Sequence, residues 1–172
     1  MDYYDIVMDS CSFPSGFEHE LGFKRVFVSG RDFEPANADK GEDAKGRLAI
    51  GHSSKNLLHA ARRFAVAVVP MNLGLDRAFI ETLRENSTIL IIPLSMTYGA
   101  SSDFALSTNM HLASKMLAYA NKRKVRVGFA TMARSFEHME SYMQLIELAK
   151  LIGASEDEAR QGISLAGDLF GK

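Results

Sequence analysis

The chain has 172 residues, 47% of them hydrophobic and 24% charged, with a formal net charge of −1; such values predict one globular domain with its own core. Apolar runs such as Ile89 to Leu94, with one proline, are far short of the ~20 residues that span a bilayer, and the acidic start MDYYDIVMDSC is unlike a basic secretory leader. Cys11 is the single cysteine, which excludes an internal disulfide and a cysteine-built zinc site, so a reduced, cytoplasmic setting is expected.

Strand signals recur along the chain. A weak first one lies in YDIVMDS, followed by RVFVS (25–29), RLAIGH (47–52), FAVAVVP (64–70), TILIIPLS (88–95) and VRVGFAT (125–131). Two of these are nearly continuous apolar runs, as in strands covered on both faces. The stretch 30–46, GRDFEPANADKGEDAKG, is polar and dotted with glycine and is expected to be a mobile loop. Helix-period segments alternate with the five clear strands. SKNLLHAARR (54–63) aligns Leu57, Leu58 and Ala61, and LDRAFIETLREN (75–86) aligns Leu75, Phe79, Ile80 and Leu83. TNMHLASKMLAYANKR (108–123) aligns Leu112, Ala113, Met116, Leu117 and Ala120, with His111, Ser114, Lys115 and Lys122 opposite. The chain closes with a long amphipathic helix over 135–153 and a second from Ser155, where Ser155 and Glu158 are spaced as a capping box. Gly162 and Gly167 within that helix each cost about 1 kcal/mol relative to alanine, which implies close packing against a neighbour.

Strict alternation of strand and helix argues for parallel strands joined by right-handed crossovers. The candidates are a doubly wound sheet and a TIM-like barrel. Five strands cannot close the usual eight-stranded barrel, so an open or reduced one is expected. The loop after TILIIPLS, reaching into YGASSDF, falls where α/β folds place ligands.

The near-zero net charge conceals segregation. Residues 44–136 carry 13 Lys/Arg against 4 Asp/Glu, a balance of +9, and the rest of the chain carries 7 against 17, a balance of −10. Phe104 to Phe136 holds Lys115, Lys122, Arg123, Lys124, Arg126 and Arg134 with no acid. A basic surface for polyanions is one reading; neutralisation by the acidic ends in three dimensions is the other.

Enzymatic chemistry finds little support. No G-x-G-x-x-G, G-x-x-x-x-G-K-[ST] or G-x-S-x-G is present. The histidines, His19, His52, His59, His111 and His138, form no H-x-H or H-x-x-x-H pair. Barrel-type metallophosphoesterases hold two or three ions about 4 Å apart on several strand-end His, Asp and Glu, whereas only His52 and Asp9 occupy such positions here. Such a stand-alone metal-dependent phosphoesterase remains the alternative. NKRKVRVGFATMAR (121–134) places cations at both ends of one strand, suited to RNA phosphates; a solvated helix-to-strand turn is the competing reading.

Three blocks settle the reading through a resemblance. NLGLDRAFIETLRENSTILIIPLS, TNMHLASKMLAYANKRKVRVGFATMAR and LIGASEDEARQGISLAGDLF together resemble the archaeal third protein component of ribonuclease P, the family of the thirty-kilodalton eukaryotic subunit. That family carries a strand ending in a proline pair, a helix with H-x-L-A-[KR], a basic turn and a strand V-A-[LI]-G-F-S-L-R. Here Pro93, His111, Leu112, Ala113, Gly128 and Phe129 correspond, with Leu151 to Gly153 and Ala159 to Ser164 matching the closing helices. The resemblance covers residues 47–172. A family strand ending in T-S-[SG]-A and its following helix have no counterpart.

The resemblance implies a TIM-barrel-like (PHP-like) β/α fold with parallel strands, reduced or incomplete, in a single domain over 1–172. It implies no catalytic residues and no cofactor bound by the protein, with Mg²⁺ serving a catalytic RNA. The partners implied are the ribonuclease P RNA, precursor tRNA within the holoenzyme, and a second small protein subunit in a heterodimer or heterotetramer. RNA phosphate contacts are expected from Lys122, Arg123, Lys124, Arg126 and Arg134, with Lys115 and Arg77 next.

Overall fold

A computed structural model of the chain describes residues 1–8, 13–63, 65–74, 76–98 and 102–170. The order is β1 (Tyr4–Val7), α1 (Phe17–Glu20), β2 (Arg25–Val28), β3 (Ala36–Asn37), a 3₁₀ turn (Ala38–Lys40), β4 (Leu48–Gly51), α2 (Ser54–Arg62), β5 (Ala67–Pro70) and α3 (Arg77–Glu85). Then come β6 (Ile89–Pro93), α4 (Ser95–Tyr98), α5 (Asp103–Lys122), β7 (Val127–Ala130), a second 3₁₀ turn (Phe136–His138), α6 (Tyr142–Leu151) and α7 (Glu156–Phe170).

The architecture is mixed α/β with parallel strands. β3-β4-β5-β6-β7 form one sheet and β1-β2 a second, every pair parallel. Further backbone contacts run between the sheets. Met132 N donates to Ile6 O and Met8 N to Ala133 O, each at 2.9 Å, while Ser29 and Phe33 form a parallel bridge beyond β2.

Alternation along the strands sorts the core into two layers. Ala49, Val68, Leu90 and Ile92 pack with Leu57 and Ala61 of α2, Phe79, Ile80 and Leu83 of α3, and Met116 and Leu117 of α5. Ile6, Phe27, Leu48, Val69, Ile91 and Met132 form the second layer with Leu165 and Ala166 of α7. Both faces of the strands are therefore dry, which is why their sequences read as apolar runs.

α7 lies across β7 and β1, and its glycines are the reason it can. A Cβ on Gly162 would stand 2.5 Å from the Phe129 ring, and one on Gly167 would stand 2.3 Å from that of Tyr4. The close packing read from these two residues is present. So is the capping box: Ser155 N donates to Glu158 Oε2 at 2.8 Å, and Glu158 N to Ser155 Oγ at 3.2 Å.

Near the β1–β7 contacts sits a buried carboxylate. Asp5 accepts from Thr131 N (2.7 Å), Thr131 Oγ1 (2.6 Å) and Ile6 N (2.8 Å). Burial nevertheless pushes Asp5 up to about 6, outweighing these hydrogen bonds.

Three expectations need correction. The 30–46 stretch is not a plain loop: it contributes β3 and a 3₁₀ turn, with Ala36 and Ala38 buried against β4. A two-residue strand is too short to show period-2 alternation in sequence. The helix expected over 135–153 begins at Tyr142, because Ser141 and Gln144 cap it reciprocally; Met143 in its first turn is exposed. The five clear strands, with the weak first one, also give way to seven among the described residues. Asp9, Cys11, Leu75 and the Gly99–Ser101 part of the loop after β6 lie outside the described residues.

Candidate nucleic-acid interface

The cationic segment is the C-terminal end of α5 and the turn into β7. Ser102 starts α5 by accepting Ala105 N, and Ala113, Met116, Leu117 and Ala120 form its buried stripe. At the far end Lys124 adopts φ 58°, and Val125 N closes back on Ala120 O at 3.0 Å. Helices commonly end in this way with glycine in the left-handed position, since an L-residue there is strained. A lysine occupies it here. Lys122, Arg123, Lys124 and Arg126 are all exposed.

These four cations are not equivalent. Arg123 is held from two sides: its Nε lies 2.7 Å from Glu81 Oε1, its Nη2 donates to Tyr119 Oη at 3.2 Å, and its guanidinium stacks over the Tyr119 ring. Glu81 also holds Arg84 at 3.1 Å, so one carboxylate is shared by two arginines. Arg126 faces Asp168 at 3.7 Å with both side chains mostly exposed, 62% and 74%; such a pair is worth little in water. Lys115 stands two turns earlier on α5, ~10 Å along the axis.

The other two predicted residues lie elsewhere. Arg77 opens α3, at the C-terminal end of β5, and Arg134 follows the C-terminal end of β7. Both therefore sit at the strand tips, whereas Lys122 to Arg126 precede β7. The structure places cations at both ends of that strand, as the sequence suggested, but in two groups and not one patch.

At the strand tips a cleft of about 190 Å³ is lined by Met8, Asn37, Asp39, His52, Met71 and Arg134. Asp39 organises it. Its Oδ2 accepts His52 N (2.7 Å) and contacts His52 Nδ1 (3.0 Å), and its Oδ1 accepts Ser53 N and Asn56 Nδ2, each at 3.2 Å. The backbone N–H of His52 above all, with the His52 ring and Ser53 N–H, holds this carboxyl down to about 2. The arrangement fixes the backbone leading into α2, which Ser53 caps, and orients the imidazole through Nδ1, directing Nε2 away from Asp39. Sequence reasoning singled out His52 but missed Asp39, 13 positions earlier in a stretch without strand or helix periodicity. Among the described residues, no group of three or more His, Cys, Asp or Glu is placed to hold a metal ion. No helix among the described residues is long and apolar enough to cross a membrane.

Neither a protein-family model nor a curated protein sequence matches the chain. Solved structures do. An uncharacterised protein is 12% identical with a TM-score of 0.56, over 73% of this chain and 33% of that one. An ochratoxinase of A. niger is 14% identical with a TM-score of 0.51, over 73% of this chain and 30% of that one. A Xaa-Pro dipeptidase with methionine in its active site is 14% identical with a TM-score of 0.56, over 77% of this chain and 35% of that one. The chain thus spans about a third of each of these proteins, and what it shares with them is the β/α fold.

Proposed function

We propose that this chain is a protein subunit of ribonuclease P that supports the catalytic RNA in removing the 5′ leader from precursor tRNA. Its scaffold is a TIM-type β/α barrel. The hydrogen bonds from Met132 and Met8 across β1 and β7, and the Ser29–Phe33 bridge, support a ring of seven parallel strands. The protein supplies counter-charge and shape; the RNA, with Mg²⁺, supplies the chemistry. A second small protein subunit completes the assembly.

The observation that carries the reading is Lys124. The turn keeps a cation in a left-handed position where glycine would relieve strain. Strain retained at an exposed residue points to a role for its side chain. With Lys122 on one side and the loosely paired Arg126 on the other, the turn neutralises phosphates without reading bases. Reconstitution tests it: adding the chain to its cognate RNA with the partner subunit raises precursor-tRNA cleavage, and charge reversal at Lys122 and Lys124 lowers it. Full processing by the reversed variant at raised salt overturns the assignment.

A second reading has its own support. The similar solved structures include a dipeptidase and an ochratoxinase, and His52 oriented by Asp39 lies at the strand tips, where β/α barrels place their chemistry. It makes the chain a metal-dependent hydrolase of phosphoesters. Stoichiometric zinc, manganese or iron in the purified protein, with phosphodiester hydrolysis lost in His52→Ala, would favour it.

A further inference from the structure

A groove of about 340 Å³ opens between α5, β7 and α7, immediately beside the cationic turn. Its walls divide by chemistry. Leu117 of α5, Phe129 of β7 and Leu165 of α7, each more than nine-tenths buried, present a narrow apolar floor, while Asn121, Arg126, Gln161 and Asp168 are polar. Glu158 also faces it, but both of its oxygens are engaged, one by Asn121 Nδ2 at 2.9 Å and the other by Ser155 N at 2.8 Å. That carboxylate ties α5 to α7 and sets the width of the groove. The Arg126–Asp168 contact of 3.7 Å is longer than a hydrogen bond. Its guanidinium can turn to a phosphate at little cost.

We infer that this groove seats one unstacked base of an RNA strand whose phosphates run over Lys122, Lys124 and Arg126, an inference that rests on the RNA-binding reading above. Cations alone hold a strand without fixing where any base goes. Sites for single strands add an apolar surface that takes a base out of water, and here such a surface adjoins the charge. The amide of Gln161 offers a donor and an acceptor to a base edge. Asp168, once Arg126 turns away, accepts from a base N–H or a ribose 2′-hydroxyl. The same acid repels phosphate, so the strand is oriented: backbone on the turn, base towards α7. The strand-tip cleft does not compete, being smaller, at about 190 Å³, and centred on the Asp39 carboxylate.

The test titrates the full chain into a single-stranded uridine octamer carrying one central 2-aminopurine. On saturation the emission shifts to the blue as the base leaves water. Gln161→Trp, which fills the groove from an exposed helix position, abolishes the shift and weakens binding about tenfold. It leaves the salt slope intact, because the lysines are untouched. Lys122→Glu with Lys124→Glu flattens the slope instead. Saturable binding with no emission change in the unaltered chain overturns the inference while leaving the RNA-binding reading standing, as does a Gln161→Trp chain with unchanged shift and affinity. Failure of the unaltered chain to bind the octamer at low salt removes both.

Discussion

Replacing Lys124 with glycine separates stability from function. At φ 58° the lysine Cβ crowds its own backbone, and for an L-residue the left-handed region costs about 1–2 kcal/mol. Glycine removes that strain but has more freedom to lose on folding, a counter-cost of about 0.5–1 kcal/mol. The net gain is then about 0.5–1 kcal/mol, or roughly 2–3 °C in Tm for a chain of this size. The side chain itself is exposed, so no packing is lost. RNA affinity moves the other way. Losing one phosphate contact lowers the slope of log K against log salt by about 0.7 for a single strand. Urea unfolding and a salt titration of binding, run on the same preparations, read the two effects. A Lys124→Gly chain that is less stable than the original would refute the strain argument. One that binds RNA with an unchanged slope would refute the role assigned to the side chain.

Other outcomes follow from particular contacts. Burial raises Asp5 from 3.8 to about 6, so the folded state binds the proton more tightly. Its contribution is full below about pH 3.8 and is lost as pH rises through 6. One pKa unit is about 1.36 kcal/mol, so the full effect is about 3 kcal/mol, and relative to Asp5→Asn the unaltered chain should gain about 2 kcal/mol of it between pH 7 and pH 4; a flat difference in denaturation midpoints contradicts this. Gly162→Ala drives a methyl into the buried Phe129 ring, at about 1–3 kcal/mol of overpacking against about 1 kcal/mol of helix propensity regained. A small net loss of stability is expected, and a gain would show that the contact yields. Asp39→Ala frees His52 N, Ser53 N and Asn56 Nδ2, costing about 1–2 kcal/mol as lost hydrogen bonds to a charged group. Because this carboxyl lies below its ordinary value, the penalty is present near neutral pH and fades as pH falls towards 2, which acid titration of both chains would reveal. Arg123→Ala should lower RNA affinity less than Lys122→Ala, since Glu81 and Tyr119 already engage its guanidinium; equal losses by fluorescence anisotropy would count against that ranking.

How much of this was legible beforehand varied with the range of the interaction. The helices over 54–63, 75–86 and 108–123 could be read because each buries one stripe at a 3.6-residue period, and Leu57, Ile80 and Met116 are indeed buried. The Ser155–Glu158 box could be read because its partners are three residues apart. The single helix expected over 135–153 is cut short by an equally local signal, since Ser141 and Gln144 have capping-box spacing too.

Composition and periodicity by themselves determined that the chain alternates strand and helix, buries both faces of its strands, and gathers its cations around residues 115–134. Both kinds of pattern are set by neighbours within a few positions. Only the tertiary structure decided that Asp39 meets His52, that Glu81 quenches Arg123 while Lys122 and Lys124 face water, and that Asp5 accepts from Thr131, 126 positions away. Each of those pairings depends on which strand lies beside which, and local sequence carries no record of contacts made across the fold.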